Sequence, residues 1–155
     1  GASGKIISGF DMGRTLAMGA DWCNSARGFM FALGCIQAQA CHTGHCPTGV
    51  TTQDPVRQQA LVVPDKAQRV ANFHRETLVS LMDMVGAAGL THPKDITADH
   101  ILRRIDANNI APLSALLPSI SEGALLRATE DPTDWPPVFR NFWHRATPES
   151  FSLQA

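Results

Sequence analysis

Three cysteines close together set the tightest limit on what this chain can be. The run Cys35-Ile-Gln-Ala-Gln-Ala-Cys41-His-Thr-Gly-His-Cys46-Pro47 has the spacing Cys-x5-Cys-x4-Cys. The remaining cysteine, Cys23, precedes it, and none follows Cys46 in a chain of 155 residues. A secreted disulfide framework spreads its bridges along the fold. This clustering points instead to a local metal, cluster or redox site in a reducing, intracellular protein. Structural zinc usually takes cysteine pairs two to four residues apart, and no second pair is present. Three thiolates in one short turn suit an iron–sulfur cluster, and three rather than four suit a cluster lacking its fourth iron. Pro47 stiffens the exit and donates no N–H. On spacing alone two other readings stay open: a Cys3His zinc site completed by His42 or His45, and a surface loop with free thiols. Cys23 reads as a small hydrophobe in a buried strand.

Composition removes several functional classes. Hydrophobic residues are 44% of the chain, enough for a packed core, and charged residues are 17%. Lys and Arg number 13 against 14 Asp and Glu, a formal net charge of −1, with no dense basic tract. The electrostatic footprint of a nucleic-acid binder is therefore absent. No apolar run approaches the roughly 20 residues that span a bilayer. The length fits one ordinary domain and is well short of the roughly 250 residues of a complete eight-stranded α/β barrel. The chain opens on Gly1-Ala-Ser-Gly-Lys5 without Met, which reads as a processed product or a piece of something longer.

Three zones follow one another. Residues 1–50 are Gly-rich and hold every cysteine, residues 51–106 read as helical, and residues 107–155 form a Pro-rich tail of short helices. Ser8-x-x-Asp11 is a capping box, with Met12, Leu16 and Ala17 at helical spacing and Gly19 as the stop. Ala20–Asn24 suits a short buried strand. Ser25 can cap a second helix running from Gly28 to about Gln39. Loop, helix, strand, helix is the order of alternating α/β architecture with a parallel sheet. In the second zone Asp65, after Pro64, can cap a long helix with Val70, Phe73, Thr77, Leu78, Leu81, Val85 and Ala88 on one face. Gly89 closes it, with Pro93 just beyond. Thr97 can cap a further helix with Ile101, Leu102 and Ile105 on its apolar side. In the tail Trp135, Phe139, Phe142 and Trp143 read as a terminal helix packed on the domain, or alternatively as a subunit contact. His74 and His144 read as structural or surface residues.

The Gly-rich opening resembles the end of a Walker A loop, but Ile6 stands where a Ser or Thr should ligate Mg²⁺. A different layout fits better. Two small polar turns, residues 1–9 and Asn24–Gly28, each precede a helix and can aim backbone N–H groups at an anion. Two consecutive strand-to-helix loops share one phosphate after strands 7 and 8 of α/β barrels. Lys5 and Arg27 could add charge-assisted contacts. The alternative is ordinary tight turns in which Gly serves conformation alone.

Taken together, Gly19-Ala-Asp-Trp-Cys-Asn-Ser-Ala-Arg-Gly-Phe-Met-Phe-Ala-Leu-Gly-Cys35 and Cys41-His-x-x-x-Cys46-Pro-Thr-Gly-Val-x-Thr-Gln-Asp54 resemble the glutamate synthase family. More narrowly, they are similar to its FMN-binding glutamate synthase-related proteins. The resemblance runs from residue 1 to about residue 90, and more loosely to the C-terminus. It implies a (β/α)8 barrel carrying FMN, with a [3Fe–4S] cluster beside it. The cluster ligands it implies are Cys35, Cys41 and Cys46; Cys23 matches none. The FMN phosphate loops it implies are Ser3, Gly4 and Lys5, and Ser25, Ala26, Arg27 and Gly28. The expected fold is thus α/β: the last two strand–helix units of a TIM barrel, then a mostly helical extension.

The first six units, and any glutaminase domain, are expected upstream, so this piece alone is not expected to be active. The reaction implied is reduction, by FMN, of the imine formed from 2-oxoglutarate and glutamine-derived ammonia, giving L-glutamate in the cytoplasm. Electrons would come through the cluster from ferredoxin or an NADPH-dependent partner. The helix after Arg27 would join the two cofactors, its eight residues to Cys35 spanning about 12 Å. A relative with another amino-acid product, such as an N-methylglutamate synthase component, and a zinc- or cluster-stabilised structural module are the alternatives. No catalytic residue is identified.

Overall fold

The computed structural model of the chain describes residues 1–127, 135–143 and 145–149. They fall into two units, Gly1–Ile101 and Leu102–Ala155. The first begins with strand β1 (Ala2–Ser3), helix α1 (Gly9–Ala17) and strand β2 (Cys23–Asn24). Helix α1 starts where its capping box puts it. Ser8 Oγ accepts the Asp11 N–H at 3.2 Å, and the Asp11 carboxylate accepts the Ser8 N–H at 3.0 Å. Each bond satisfies a helix-end donor that has no partner within the helix. The Ser8 backbone bond is the main reason that the Asp11 carboxyl titrates below its usual range. The helix then serves as the crossover between two parallel strands, with Ala2 opposite Cys23 and Ser3 opposite Asn24. The parallel pairing and the loop–helix–strand–helix order are as expected, and the unit is mixed α/β with more helix than strand.

Helix α2 (Arg27–Leu33) follows, then a loop with a 3₁₀ turn at Cys41–Thr43, the short helix α3 (Pro55–Gln58) and the long helix α4 (Val63–Ala87). Helix α4 packs on both α1 and α2. Leu81 and Val85 of its predicted apolar face are buried, at 4% and 1% exposure. Burying two such side chains stabilises by about 1.5–3 kcal/mol each. Small residues make the approach possible. A Cβ on Gly9 would sit 2.8 Å from the Leu81 backbone nitrogen, and one on Gly28 would sit 2.7 Å from Phe73 Cζ. Phe73 also meets Phe29 edge to face, with ring centroids 5.3 Å apart.

Four boundaries differ from expectation. Helix α2 stops at Leu33 instead of running to Gln39. Gly34, at φ +112, takes the left-handed conformation, and the Cys35 N–H reaches back to the Met30 carbonyl at 3.0 Å. That closure satisfies the end of the helix and outweighs the apolar periodicity beyond it. Ser25 does not cap α2: its hydroxyl donates to the Ile6 carbonyl at 2.6 Å, and no side chain caps the helix. Asp65 is inside the first turn of α4, whose cap position is Val62, because Pro64 fits that first turn better than it ends a loop. Thr97 caps only a 3₁₀ turn, Ala98–His100.

Beyond that turn the chain becomes a strand where a helix was expected. The second unit opens with an antiparallel hairpin of β3 (Leu102–Arg104) and β4 (Ile110–Pro112), with Arg103 opposite Ala111. Its turn is built by Asp106, whose carboxylate accepts from the Asn108 and Asn109 N–H groups at 2.8 and 3.0 Å. Such Asx turns compete directly with helix. Short helices α5 (Leu113–Leu116) and α6 (Pro137–Trp143) follow. Trp135 and Phe139 are half-buried, while Phe142 and Trp143 are exposed. His144 lies outside the described residues. Among the described residues no helix is long and apolar enough to cross a membrane.

Candidate cofactor-binding site

Cys35, Cys41 and Cys46 reach one place by different routes. Gly34 turns the chain out of α2 at Cys35. Gln37 and Gln39, at φ 58 and 55, hold left-handed conformations that side chains rarely adopt, and bend the segment back toward Cys41. Cys41 opens the 3₁₀ turn, and Cys46 follows Gly44. All three line one hollow, together with Met30, Ile36, Val50 and Thr51. None is in a disulfide; Cys46 is buried and Cys41 exposed. The far wall is pinned by Thr52, whose hydroxyl donates to the Gly44 carbonyl, and by Gln58, whose amide donates to the Thr52 carbonyl at 2.9 Å.

The electrostatics around Cys46 favour a thiolate. Its sulfur lies 3.5 Å from Thr48 Oγ1. That hydroxyl, then the Thr51 and Thr48 backbone N–H groups, with a smaller contribution from the Thr51 hydroxyl, hold its thiol down to about 6. A lowered thiol favours the thiolate, the form that binds metal. Thr51 Oγ1 is buried and makes no well-formed hydrogen bond, although it lies near enough to Cys46 to help lower its thiol. Leaving a buried hydroxyl unpaired costs about 1–3 kcal/mol, so an acceptor placed in the hollow would be favoured by it.

Three cysteines around one hollow are a donor set that an iron–sulfur cluster can use. Among the described residues no three His, Cys, Asp or Glu side chains are gathered closely enough to hold one metal ion. A cluster asks for something else, since each thiolate takes its own iron and the sulfurs need only surround the group. His42 and His45 are exposed and outside the lining, so the Cys3His arrangement does not find its imidazole here. Cys23 sits apart, in a hollow with Ile6, Ser25, Phe29, Phe73 and His74, where burial pushes its thiol up.

The two loops expected to hold a phosphate are neighbours because their strands are paired. Ser3, Gly4 and Lys5 leave β1, and Ser25, Ala26, Arg27 and Gly28 leave β2. The Ser25–Ile6 bond ties one loop to the other. Ser3, Gly4, Lys5, Ala26 and Arg27 are exposed, and among the described residues neither Lys5 nor Arg27 has a carboxylate partner. No side chain caps α2, and the first N–H groups of a helix have no partner within it. These features fit a phosphate. Gly28 is different: it is buried against Phe73 and Ser25, so packing with α4 accounts for its lack of a side chain. Arg27 also lines a second open hollow with Cys35 and Cys41, which brings the start of α2 and two of the cysteines onto one surface. Thr48, Thr51 and the two left-handed glutamines are the site residues that spacing did not reveal.

Comparison with known proteins gives the family of the chain. Residues 1–91 match the family model described as the conserved region in glutamate synthase. A glutamate synthase large subunit-like protein, YerD, of Bacillus subtilis is 40% identical over 116 residues, covering 75% of this chain and 22% of that protein. An archaeal-type glutamate synthase [NADPH] of Dehalococcoides mccartyi is 34% identical, covering 57% of this chain and 18% of that protein. A ferredoxin-dependent glutamate synthase 2 of Synechocystis is 36% identical, covering 57% and 6%. The chain thus spans less than a quarter of the length of these relatives. No solved structure matches it.

Proposed function

The chain belongs to the glutamate synthase family, and from that membership we propose that it is part of an oxidoreductase that forms L-glutamate from 2-oxoglutarate and glutamine-derived ammonia. In this reading β1, α1, β2 and α2 are the last two strand–helix units of a (β/α)8 barrel, and the remaining units come from the rest of the whole protein. Bound FMN would supply hydride chemistry there and a bound [3Fe–4S] cluster one-electron chemistry.

The chain's own residues have three tasks. Cys35, Cys41 and Cys46 hold the cluster as thiolates. The loops Ser3–Lys5 and Ser25–Gly28 hold the flavin phosphate through backbone N–H groups and the charges of Lys5 and Arg27. Helix α2, with the Arg27 hollow beside it, fixes the separation between those two sites. The electron donor is ferredoxin or an NADPH-dependent partner, the two kinds that the relatives' names carry.

The observation that carries this reading is the shared hollow of the three cysteines, with Cys46 poised as a thiolate. Cys41→Ser in the whole protein tests it. Iron should fall away while flavin absorbance persists, because the phosphate loops do not use Cys41. Unchanged iron content would remove Cys41 from the ligand set.

A further inference from the structure

The wall of the cysteine hollow carries hydroxyls as well as sulfur. Thr48 Oγ1 is 3.5 Å from Cys46 Sγ, where either atom can donate; a cysteine sulfur bound to iron carries no proton, so in that state the hydroxyl is the donor. Thr51 lines the same hollow, and its Oγ1 is buried without a well-formed hydrogen bond. Other threonines of this stretch have theirs: Thr43 donates to the Ala40 carbonyl at 2.7 Å and Thr52 to the Gly44 carbonyl. The hydroxyl without a well-formed hydrogen bond is thus the one that lines the hollow with the three cysteines. Most buried hydroxyls are paired, and an exception calls for an explanation such as a redox role or a bound water or ion.

We propose that the Thr48 and Thr51 hydroxyls donate hydrogen bonds to the sulfur atoms of a cluster held by Cys35, Cys41 and Cys46, and so raise its reduction potential. This rests on the cluster reading above. The physical reason is charge. One-electron reduction adds negative charge to the cluster, and that charge spreads over its sulfurs. A fixed O–H dipole aimed at sulfur stabilises the reduced form more than the oxidised one. Valine has the shape of threonine without the donor, so the exchange removes the dipole and leaves the packing.

The test uses the whole protein with Thr51→Val, Thr48→Val and Thr51→Ser, titrated with dithionite and redox mediators and followed by electron paramagnetic resonance. Iron and flavin are quantified in each sample. Thr51→Val should keep its iron and shift the potential negative, by up to about tenfold in the reduction equilibrium, or about 59 mV for a one-electron couple. Thr48→Val should shift in the same direction, and Thr51→Ser should stay near the unmodified protein. Full iron with an unmoved potential in both valine variants would overturn the proposal while leaving the cluster assignment standing. An unmodified protein without iron would overturn the cluster reading itself. Should Thr51→Val fail to assemble, Thr48→Val and Thr51→Ser decide the question.

Discussion

Replacing Gly49 with alanine should cost far more stability than the same change at Gly44, although both glycines lie in the cysteine loop with nearly the same backbone. Gly44 has φ +73 and Gly49 φ +75. A left-handed conformation costs a residue with a Cβ about 1–2 kcal/mol, and this cost is common to both sites. The surroundings differ. A Cβ at Gly44 meets nothing within 4 Å. One at Gly49 would collide with the Arg57 carbonyl oxygen and lie 3.2 Å from the Arg57 carbonyl carbon. These are backbone atoms at the end of α3, which cannot swing aside as a side-chain tip would. Overpacking of this kind costs about 1–3 kcal/mol more. Gly44→Ala should therefore lose about 1–2 kcal/mol and Gly49→Ala about 2–5 kcal/mol. Urea unfolding followed by circular dichroism measures both. Equal losses would show that α3 does not brace the Cys46 loop as described.

Other expectations follow from the same geometry. Gly28→Ala should destabilise by about 1–3 kcal/mol through the Phe73 ring, and Phe73→Ala in the same molecule should relieve part of that loss; fully additive losses in a double-mutant cycle would contradict the contact. Ser8→Ala should cost about 0.5–2 kcal/mol at neutral pH by removing half of the α1 capping box; a change within error in urea unfolding would refute that role. Asp11 has a folded pKa below its unfolded value of about 3.9. Its contribution is therefore complete above that value and is lost as pH falls through the lower folded value. Asp11→Asn should flatten the acid limb of a stability–pH curve, and a limb parallel to the unmodified protein's would refute the assignment.

How much of this was legible beforehand depends on which interactions are local. The capping box of α1 is local, Ser8 and Asp11 being three residues apart, and it formed as read. The apolar face of α4 was readable because Leu81 and Val85 share one side of a long periodic segment. The three cysteines were legible by spacing, and the structure does line one hollow with them. The end of α2 was not, because Phe29 to Ile36 continues an apolar pattern while the left-handed closure at Gly34 decides the boundary. The β3–β4 hairpin was missed for a similar reason: Leu102 and Ile105 look helical, but Asp106 and the two asparagines after it close a turn. Ser25 illustrates a tertiary contest, since its hydroxyl could cap α2 and instead bonds Ile6, 19 residues earlier in the chain. Thr48 and Thr51 gave no spacing signal at all. Their meaning comes only from their position beside Cys46.

The most direct test of the account is metal and flavin analysis of the whole protein, purified without air, with electron paramagnetic resonance before and after reduction. The account predicts the iron and sulfide content of a [3Fe–4S] cluster, its resonance in the oxidised protein, and bound FMN in the same sample. A colourless protein carrying zinc, or one whose iron survives replacement of Cys35, Cys41 and Cys46 together, would contradict it.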